Sequence, residues 1–462
     1  MNKLIVSMGL AATGAAFQMN GQAQSSPVDA SKDWNVAAAV RGFYDSNMST
    51  SPDGPDKKGS YGVDVSPTIS ANVPFTQTQF GVYYSYDLQY YQERDQLGQD
   101  PYDQSHTFNV WMDHAFNENW NVRASDSFVI GQEPDLLLNG SNGGAPTYER
   151  LNGNNFNNSA SLLLHTDWSR LFSTELTYGN SLSVYSQQGA QAVEDNSGAP
   201  PLWVGNYFAV ASGGNTNTPS YAGSLNSVQN NAGLTAQWHL TPETTLSAGY
   251  QFIDVDFTGN EAIAVWNKMG QTTTPYKVFK SDSRDNYSHI VYLGAQANLL
   301  PDLVAAAKAG FQYNDTYNNP VSNTSTLSPY ADVSLIYTYL PGCNAQIGFN
   351  QSRNSTYLVS VEQSNGSLTQ DQESSTVHAS INHHITQKLL VTVIGSWSGG
   401  TYHGGGYDGQ TTDDYGLGLS ANYAFTRNIS GEIDYNYDDV SSNVPGFAYN
   451  RNRVSVGLSV AY

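Results

Sequence analysis

The last ten residues, 453–462, alternate without a break. Val454, Val456, Leu458, Val460 and Tyr462 fall on one side, and Arg453, Ser455, Gly457, Ser459 and Ala461 on the other. Successive side chains of a β-strand point to opposite faces, so this is a ribbon with one apolar face and one polar or small face. The pattern recurs along the whole chain. It is clearest at 34–44, 61–71, 80–90, 106–116, 120–130, 159–166, 172–185, 228–240 and 246–256. It continues at 286–298, 303–313, 329–339, 345–352, 377–385, 389–397, 415–425, 429–437 and 452–462. An all-β chain of about eighteen strands follows.

The connections sort into two kinds. Short turns bracketed by apolar or aromatic residues follow every second strand, as at 116–120, 240–244, 300–303 and 425–429. Between them lie long loops rich in Asn, Gly, Ser and Asp, notably 131–156, 186–226 and 258–283. An up-and-down barrel that crosses a membrane has this asymmetry, with short turns at one rim and long loops at the other. A soluble sandwich or propeller has no reason to sort its connections so, and no blade-length repeat is present.

Composition agrees. The mean hydropathy of -0.43 would suit a soluble protein, but a membrane barrel needs only every second strand residue to be apolar. Charged residues make up 13% of the chain and Tyr occurs 31 times, which suits strands with aromatic girdles. The net charge of -21 argues against nucleic acid as a partner. Cys343 is the sole cysteine, so no intrachain disulfide can hold the fold, and a closed hydrogen-bond ladder would serve instead.

Residues 1–23 read as a signal peptide. Lys3 is the charged start, 4–17 the apolar stretch, and Gly21-Gln22-Ala23 the small-x-small cleavage site. A short periplasmic segment, 24–33, then leads into a transmembrane barrel at 34–462. The terminal pattern around Gly457, Val460 and Tyr462 resembles the signal by which bacterial outer-membrane barrels are passed to their assembly machinery.

Leader, early Trp-x-Val-x-Ala-x-Val strand (Trp34 to Val40), Tyr- and Asn-rich alternating strands and aromatic ending together resemble the putative beta-barrel porin-2 family. The resemblance spans nearly all of 24–462 and lies in texture rather than in a diagnostic motif. It implies a wide barrel in the bacterial outer membrane with lipid and the assembly machinery as partners. For some members it implies periplasmic polysaccharide-export proteins as well. It brings no catalytic residues.

The residues themselves offer little catalytic chemistry. The nearest approach to a nucleophile elbow, Gly395-Ser396-Trp397-Ser398-Gly399, has Trp at the nucleophile position. His383 and His384 fall on opposite faces of a strand and cannot chelate one metal as neighbours. Asp408, Asp413 and Asp414 in an external loop match no calcium-loop spacing and read as a solvated surface. The chain is read as a non-enzyme, with no catalytic, cofactor or metal residues.

Parity does assign a lumen. On the strand 80–90, Phe80, Val82, Tyr84, Tyr86, Leu88 and Tyr90 meet lipid, and Gly81, Ser85, Asp87 and Gln89 turn inward. The same count points Asp64, Asp87, Asp113, Glu175, Asp332, Glu432 and Asp434 inward, against Arg41, Arg123, Lys308 and Arg453. Inward aromatics include Phe43, Tyr83, Trp111 and Tyr185. Acids dominate, so the expected pore weakly favours cations. The sequence leaves three roles open: a passive channel for polar solutes, a conduit for exopolysaccharide export, or a structural or adhesive barrel whose loops plug the lumen.

The terminal pattern makes the first testable statement. Tyr462→Asp, or deletion of 460–462, should leave the precursor secreted but not inserted, because a charge at an interfacial aromatic site opposes docking of the last strand on the first. Normal insertion and normal heat-modifiable gel migration of the variant would refute the assignment.

Overall fold

The computed structural model describes residues 33–55, 57–97, 100–132, 135–140, 144–150, 154–186, 202–204, 207–209, 216–217, 221–259, 262–266, 277–356, 358–362 and 364–462. The expected leader, 1–23, and nearly all of 24–33 lie outside the described residues.

Eighteen antiparallel strands form one closed sheet. They are β1 (Trp34–Asp45), β2 (Ser60–Pro74), β3 (Thr78–Tyr91), β4 (Tyr102–Ala115), β5 (Trp120–Gln132), β6 (Asn154–Ser169), β7 (Phe172–Ser186), β8 (Ser227–Thr241) and β9 (Thr244–Phe257). The second half holds β10 (Asn286–Leu300), β11 (Leu303–Thr316), β12 (Thr324–Leu340), β13 (Cys343–Ser355), β14 (Asp371–Thr386), β15 (Leu389–His403), β16 (Thr411–Ala424), β17 (Ile429–Ser442) and β18 (Tyr449–Ala461). Each strand pairs with its chain neighbours, and β18 returns to β1 in a register running from Ala37 opposite Ala461 to Asp45 opposite Arg453.

The two faces behave as the alternation predicts. On β18, Val454, Val456, Leu458 and Val460 are 43%, 57%, 56% and 53% exposed, while the intervening Ser459 is 3% exposed. Exposed large apolar residues cover the outside of the wall on nearly every strand, from Val36 and Val40 on β1 to Leu417 and Leu419 on β16. In water that much exposed apolar surface would drive association. In lipid it is the correct solvent contact.

The turn rim is built from local hydrogen bonds. Asn117 Oδ1 accepts from the backbone N–H of Asn119 (2.8 Å) and Trp120 (3.0 Å). Thr426 Oγ1 does the same for Asn428 (3.2 Å) and Ile429 (3.1 Å). At the β12–β13 turn Gly342 sits at φ +77°, a backbone conformation that a β-carbon disfavours. Trp34 and Tyr462 meet at this rim with ring centroids 5.7 Å apart.

Every strand seen in the sequence is present, but many run further toward the loop rim. β16 begins at Thr411, so Asp413 and Asp414 lie on a strand and not in a loop as expected. Beyond the lipid belt both faces of a strand meet polar surroundings, so the alternation that reveals the strand fades there. The long loops also carry structure of their own. Asp135–Gly140 pairs with Gly144–Arg150, and Ala262–Trp266 pairs with Lys277–Lys280. At the mouth, loop residues Leu358, Tyr407 and Val444 pack on the inward Tyr402, with Phe447 against them.

The topology gives a direct test. An epitope tag beside Glu118 should be shielded on intact cells, and one in the loop between β7 and β8 should be reached by antibody. Labelling of the Glu118 tag without permeabilisation would invert the orientation.

Candidate pore lining and closing seam

Where the first and last strands meet, parity and register bring three residues into one row. Arg41 on β1 stands opposite Gly457 on β18, and Gly457 stands opposite Glu432 on β17. All three point inward. The Arg41 side chain therefore crosses the last strand above Gly457 and pairs with Glu432 through its Nε. Its Nη1 donates to Asp64 Oδ1 (3.0 Å) and to Ser66 Oγ (3.0 Å) on β2. One guanidinium thus ties β17, β1 and β2 together.

Gly457 is required by this crossing. A β-carbon there would lie 2.6 Å from Arg41 Cγ, 2.9 Å from the Val40 carbonyl oxygen and 3.1 Å from Glu432 Oε1. The glycine of the terminal pattern thus doubles as the notch through which the closing ion pair passes.

The cluster extends along the same wall. The Ser66 hydroxyl stands 2.7 Å from both Asp64 Oδ1 and Asp87 Oδ1. Asp434 accepts from Ser420 Oγ (2.7 Å) and Ser455 Oγ (3.1 Å). Arg453 stacks over the Phe43 ring at 4.3 Å. Arg41, Asp64, Asp87, Glu432 and Asp434 are all buried against one another. Arg41, Asp64, Asp87 and Glu432 are therefore one bonded network, with Asp434 buried beside it on its own serine partners.

The other assigned charges are spread around the lumen. Asp113 and Arg123 pair at 2.6 Å with half-open side chains. Glu175 lies 3.4 Å from His165 Nδ1. Lys308 stands opposite Asp332 in register, with its Nζ 5.4 Å from the Tyr292 ring centroid. Asp332 accepts from Asn350 Nδ2 at 3.4 Å. Val460 and Tyr462 face outward and are exposed.

Other seam residues escaped the sequence reading. Asp45 and Arg451 form a buried bidentate pair between β1 and β18, with Nε–Oδ1 at 3.1 Å and Nη2–Oδ2 at 2.6 Å. Both continue the inward parity of Arg41 and Arg453, but the visible alternation stops one residue short of each. His383 bonds through Nδ1 to the Tyr339 hydroxyl at 2.9 Å, and the His384 N–H meets Cys343 Sγ at 3.3 Å, so the pair belongs to the turn rim. Among the described residues no group of three or more His, Cys, Asp or Glu is placed to hold a metal.

Loops narrow the other end. The segment Gly144–Arg150, which follows β5 in the chain, lies against β13, β14 and β15 on the far wall. Arg284, in the loop before β10, is buried with its guanidinium 3.9 Å over the Phe257 ring, and its Nη2 donates to the Ser224 carbonyl at 2.8 Å. Burial pushes that guanidinium down to about 9.

The seam predicts a graded loss. Arg41→Ala leaves buried carboxylates without their counter-charge and should cost about 3–5 kcal/mol of stability. Adding Glu432→Gln to it should recover part of that loss. Gly457→Ala forces overpacking, with a cost of about 1–3 kcal/mol. Urea unfolding in detergent or lipid, followed by heat-modifiable migration, reads all three. Wild-type stability of Arg41→Ala would remove the seam's role.

Solved structures with a similar course include the siderophore receptor PiuA from Acinetobacter baumannii, at 9% identity over 93% of this chain and 82% of that one, TM-score 0.45. Others are the outer membrane protein opdK from Pseudomonas aeruginosa (9%, 93% and 99%, TM-score 0.43) and OccAB4 from Acinetobacter baumannii (11%, 95% and 99%, TM-score 0.40). No curated protein matches the sequence. Residues 307–462, from β11 to the end of the chain, match the family model described as Putative beta-barrel porin 2, and with the apolar exterior this puts the barrel in the bacterial outer membrane.

Proposed function

We propose that this barrel is a passive channel for polar solutes. The observation that carries the reading is a closed wall of eighteen strands whose inward face is polar. A barrel of sixteen to eighteen strands is too wide for its own side chains to fill, so a polar inner face of that circumference encloses water. The segment Gly144–Arg150 reaching the far wall would act as a constriction rather than a seal.

The charge on the solvent-accessible part of the wall is nearly balanced. The acids of the seam are tied to Arg41 and to serine hydroxyls, leaving Asp113, Glu175 and Asp332 against Arg123, Lys308 and Arg453. The accessible charges balance, so the net negative seam supplies the bias toward cations; it is slight, and it fades with salt because charges are screened within about 10 Å at 0.1 M.

A second reading, export of an extended polysaccharide, draws on Trp111. That ring lies over Gly81 on the inner wall, where a β-carbon would come within 2.1 Å of it. An indole held flat against a wall by a facing glycine is a platform on which a sugar ring can stack.

Purified barrel in planar bilayers should pass current with weak cation preference. Arg123→Gln frees Asp113 and should strengthen that preference, while Asp113→Asn should weaken it. Anion preference at low salt would overturn the charge assignment. Absence of any current would favour a barrel plugged by its loops and serving a structural or adhesive role.

A further inference from the structure

One join in the wall differs from the rest. β12 pairs with β11 along its whole length, from Thr324 opposite Thr316 to Tyr337 opposite Leu303. It pairs with β13 only from Ala331, opposite Gln351, onward. Residues 324–330 of β12 and 352–355 of β13 have no partner across this join, although β13 remains paired with β14 as far as Ser355 opposite Asp371. The two strands part toward the loop rim over roughly 13 Å, at about 3.3 Å per residue on the shorter side.

Side chains close the wedge. Gln312 on β11 reaches past β12. Its Nε2 donates to the Arg353 carbonyl (2.6 Å) and its Oε1 accepts the Arg353 N–H (2.9 Å). It thereby replaces the ladder residue that β12 fails to supply. Arg353 Nη1 donates to Ser328 Oγ (3.3 Å) and its Nη2 meets Asp371 Oδ1 at 2.8 Å. Asn286 Nδ2 on β10 donates to Ser355 Oγ at 2.8 Å. β11 and β13 touch directly, so the end of β13 tucks inside β12.

The wedge opens at a defined depth. On the outer face, Pro329 stands opposite Phe311, Leu327 opposite Tyr313, and Ser325 opposite Asp315. The surface passes from apolar through aromatic to acidic within these three steps, which is the passage from hydrocarbon to headgroups. Beside the base of the wedge the inner wall carries an apolar patch, where Tyr330 belongs to a buried cluster with Tyr292, Ile290, Ile253, Val255 and Phe257, while Gln312, Asn314 and Ser352 directly inside the wedge are polar and buried. Within the wedge, Arg353 is buried and its Nε has no partner among the described residues. An extended peptide is a poor occupant, since Pro329 has no N–H to give to an added strand.

We propose that the β12–β13 join is a lateral portal. The acyl chain of an outer-leaflet amphiphile enters through it toward the apolar inner patch, while an anionic oxygen of its head meets Arg353. Gln312 and the Arg353–Asp371 pair form the clasp. The portal depends on the outer-membrane setting and not on the solute-channel reading.

The test uses full-length barrel carrying Cys343→Ser and a single new cysteine, Ser328→Cys in the wedge or Ser334→Cys on the same inward face where β12 is paired. Each is labelled with bimane and reconstituted in phosphatidylcholine vesicles bearing a doxyl group on the acyl chain. Quenching at 328 should exceed that at 334 several-fold, and Gln312→Ala should raise it further at 328 alone. Thr326→Cys replaces Ser328→Cys if the latter loses heat-modifiable migration. Equal quenching at wedge and control positions, unchanged by Gln312→Ala, would overturn the portal. Conductance of the same preparations reports separately on the channel, so either reading can fail alone.

Discussion

Everything in this molecule follows from the requirement that backbone N–H and C=O groups find partners where water is absent. In hydrocarbon an unpaired backbone group costs several kcal/mol, so a spanning sheet cannot keep an edge. The first and last strands must therefore meet, although nearly the whole chain lies between them. Ladder hydrogen bonds from Ala37 to Asp45 supply the closure. They carry no address, since any two edges could pair in that way. The inward side chains add one. Arg41, Gly457 and Glu432 stand in a single row only when β1 and β18 are in the native register. A slip of one residue would turn Arg41 into lipid and the apolar outer face inward, so pairing the charges and sorting the faces favour the same register.

The wall was legible in the sequence because one of its faces is lipid. Wherever a strand separates hydrocarbon from lumen, selection for two different solvents writes alternation into it, and all eighteen strands could be counted on that basis. Where both faces are wet or covered by loops, the writing stops. Asp413 and Asp414 on β16 therefore read as loop, and Asp45 and Arg451 fell outside the visible runs despite holding the closing seam. The inward direction of Arg41, Asp64, Asp87, Glu432 and Asp434 followed from parity. Their convergence did not, because it depends on the shear between strands far apart in the chain. Gly457 shows the limit well. The terminal pattern marks it, but its reason, the passage of Arg41 over the last strand, exists only once the barrel is closed.

Convergence changes the meaning of the acidic count. Inward acids outnumber inward bases, yet the excess is greatest where it is least available to a permeating ion. Asp64, Asp87, Glu432 and Asp434 are buried around Arg41 and three serine hydroxyls and hold the wall together. The half-open Asp113–Arg123 pair faces water and is nearly neutral as a pair. Charge in this lumen is divided between a structural strip beside the seam and a sparse, balanced lining elsewhere.

Closure and the β12–β13 join are two answers to the same constraint at different depths. The β1–β18 seam crosses the full membrane and is paired throughout, with charged clasps only on its inner face. The β12–β13 join is paired up to Ala331 and parts from Tyr330 onward, over the steps in which Phe311, Leu327 and Tyr313 on the outer face give way to Ser325 and Asp315. In the headgroup zone water can serve an unpaired backbone group, so the ladder can be traded there for side chains such as Gln312. A ladder of many short hydrogen bonds opens only cooperatively, whereas a few side chains can swing aside one at a time. The proposed portal therefore sits where the membrane tolerates an opening, and Pro329 lies at the level where the ladder to β13 ends.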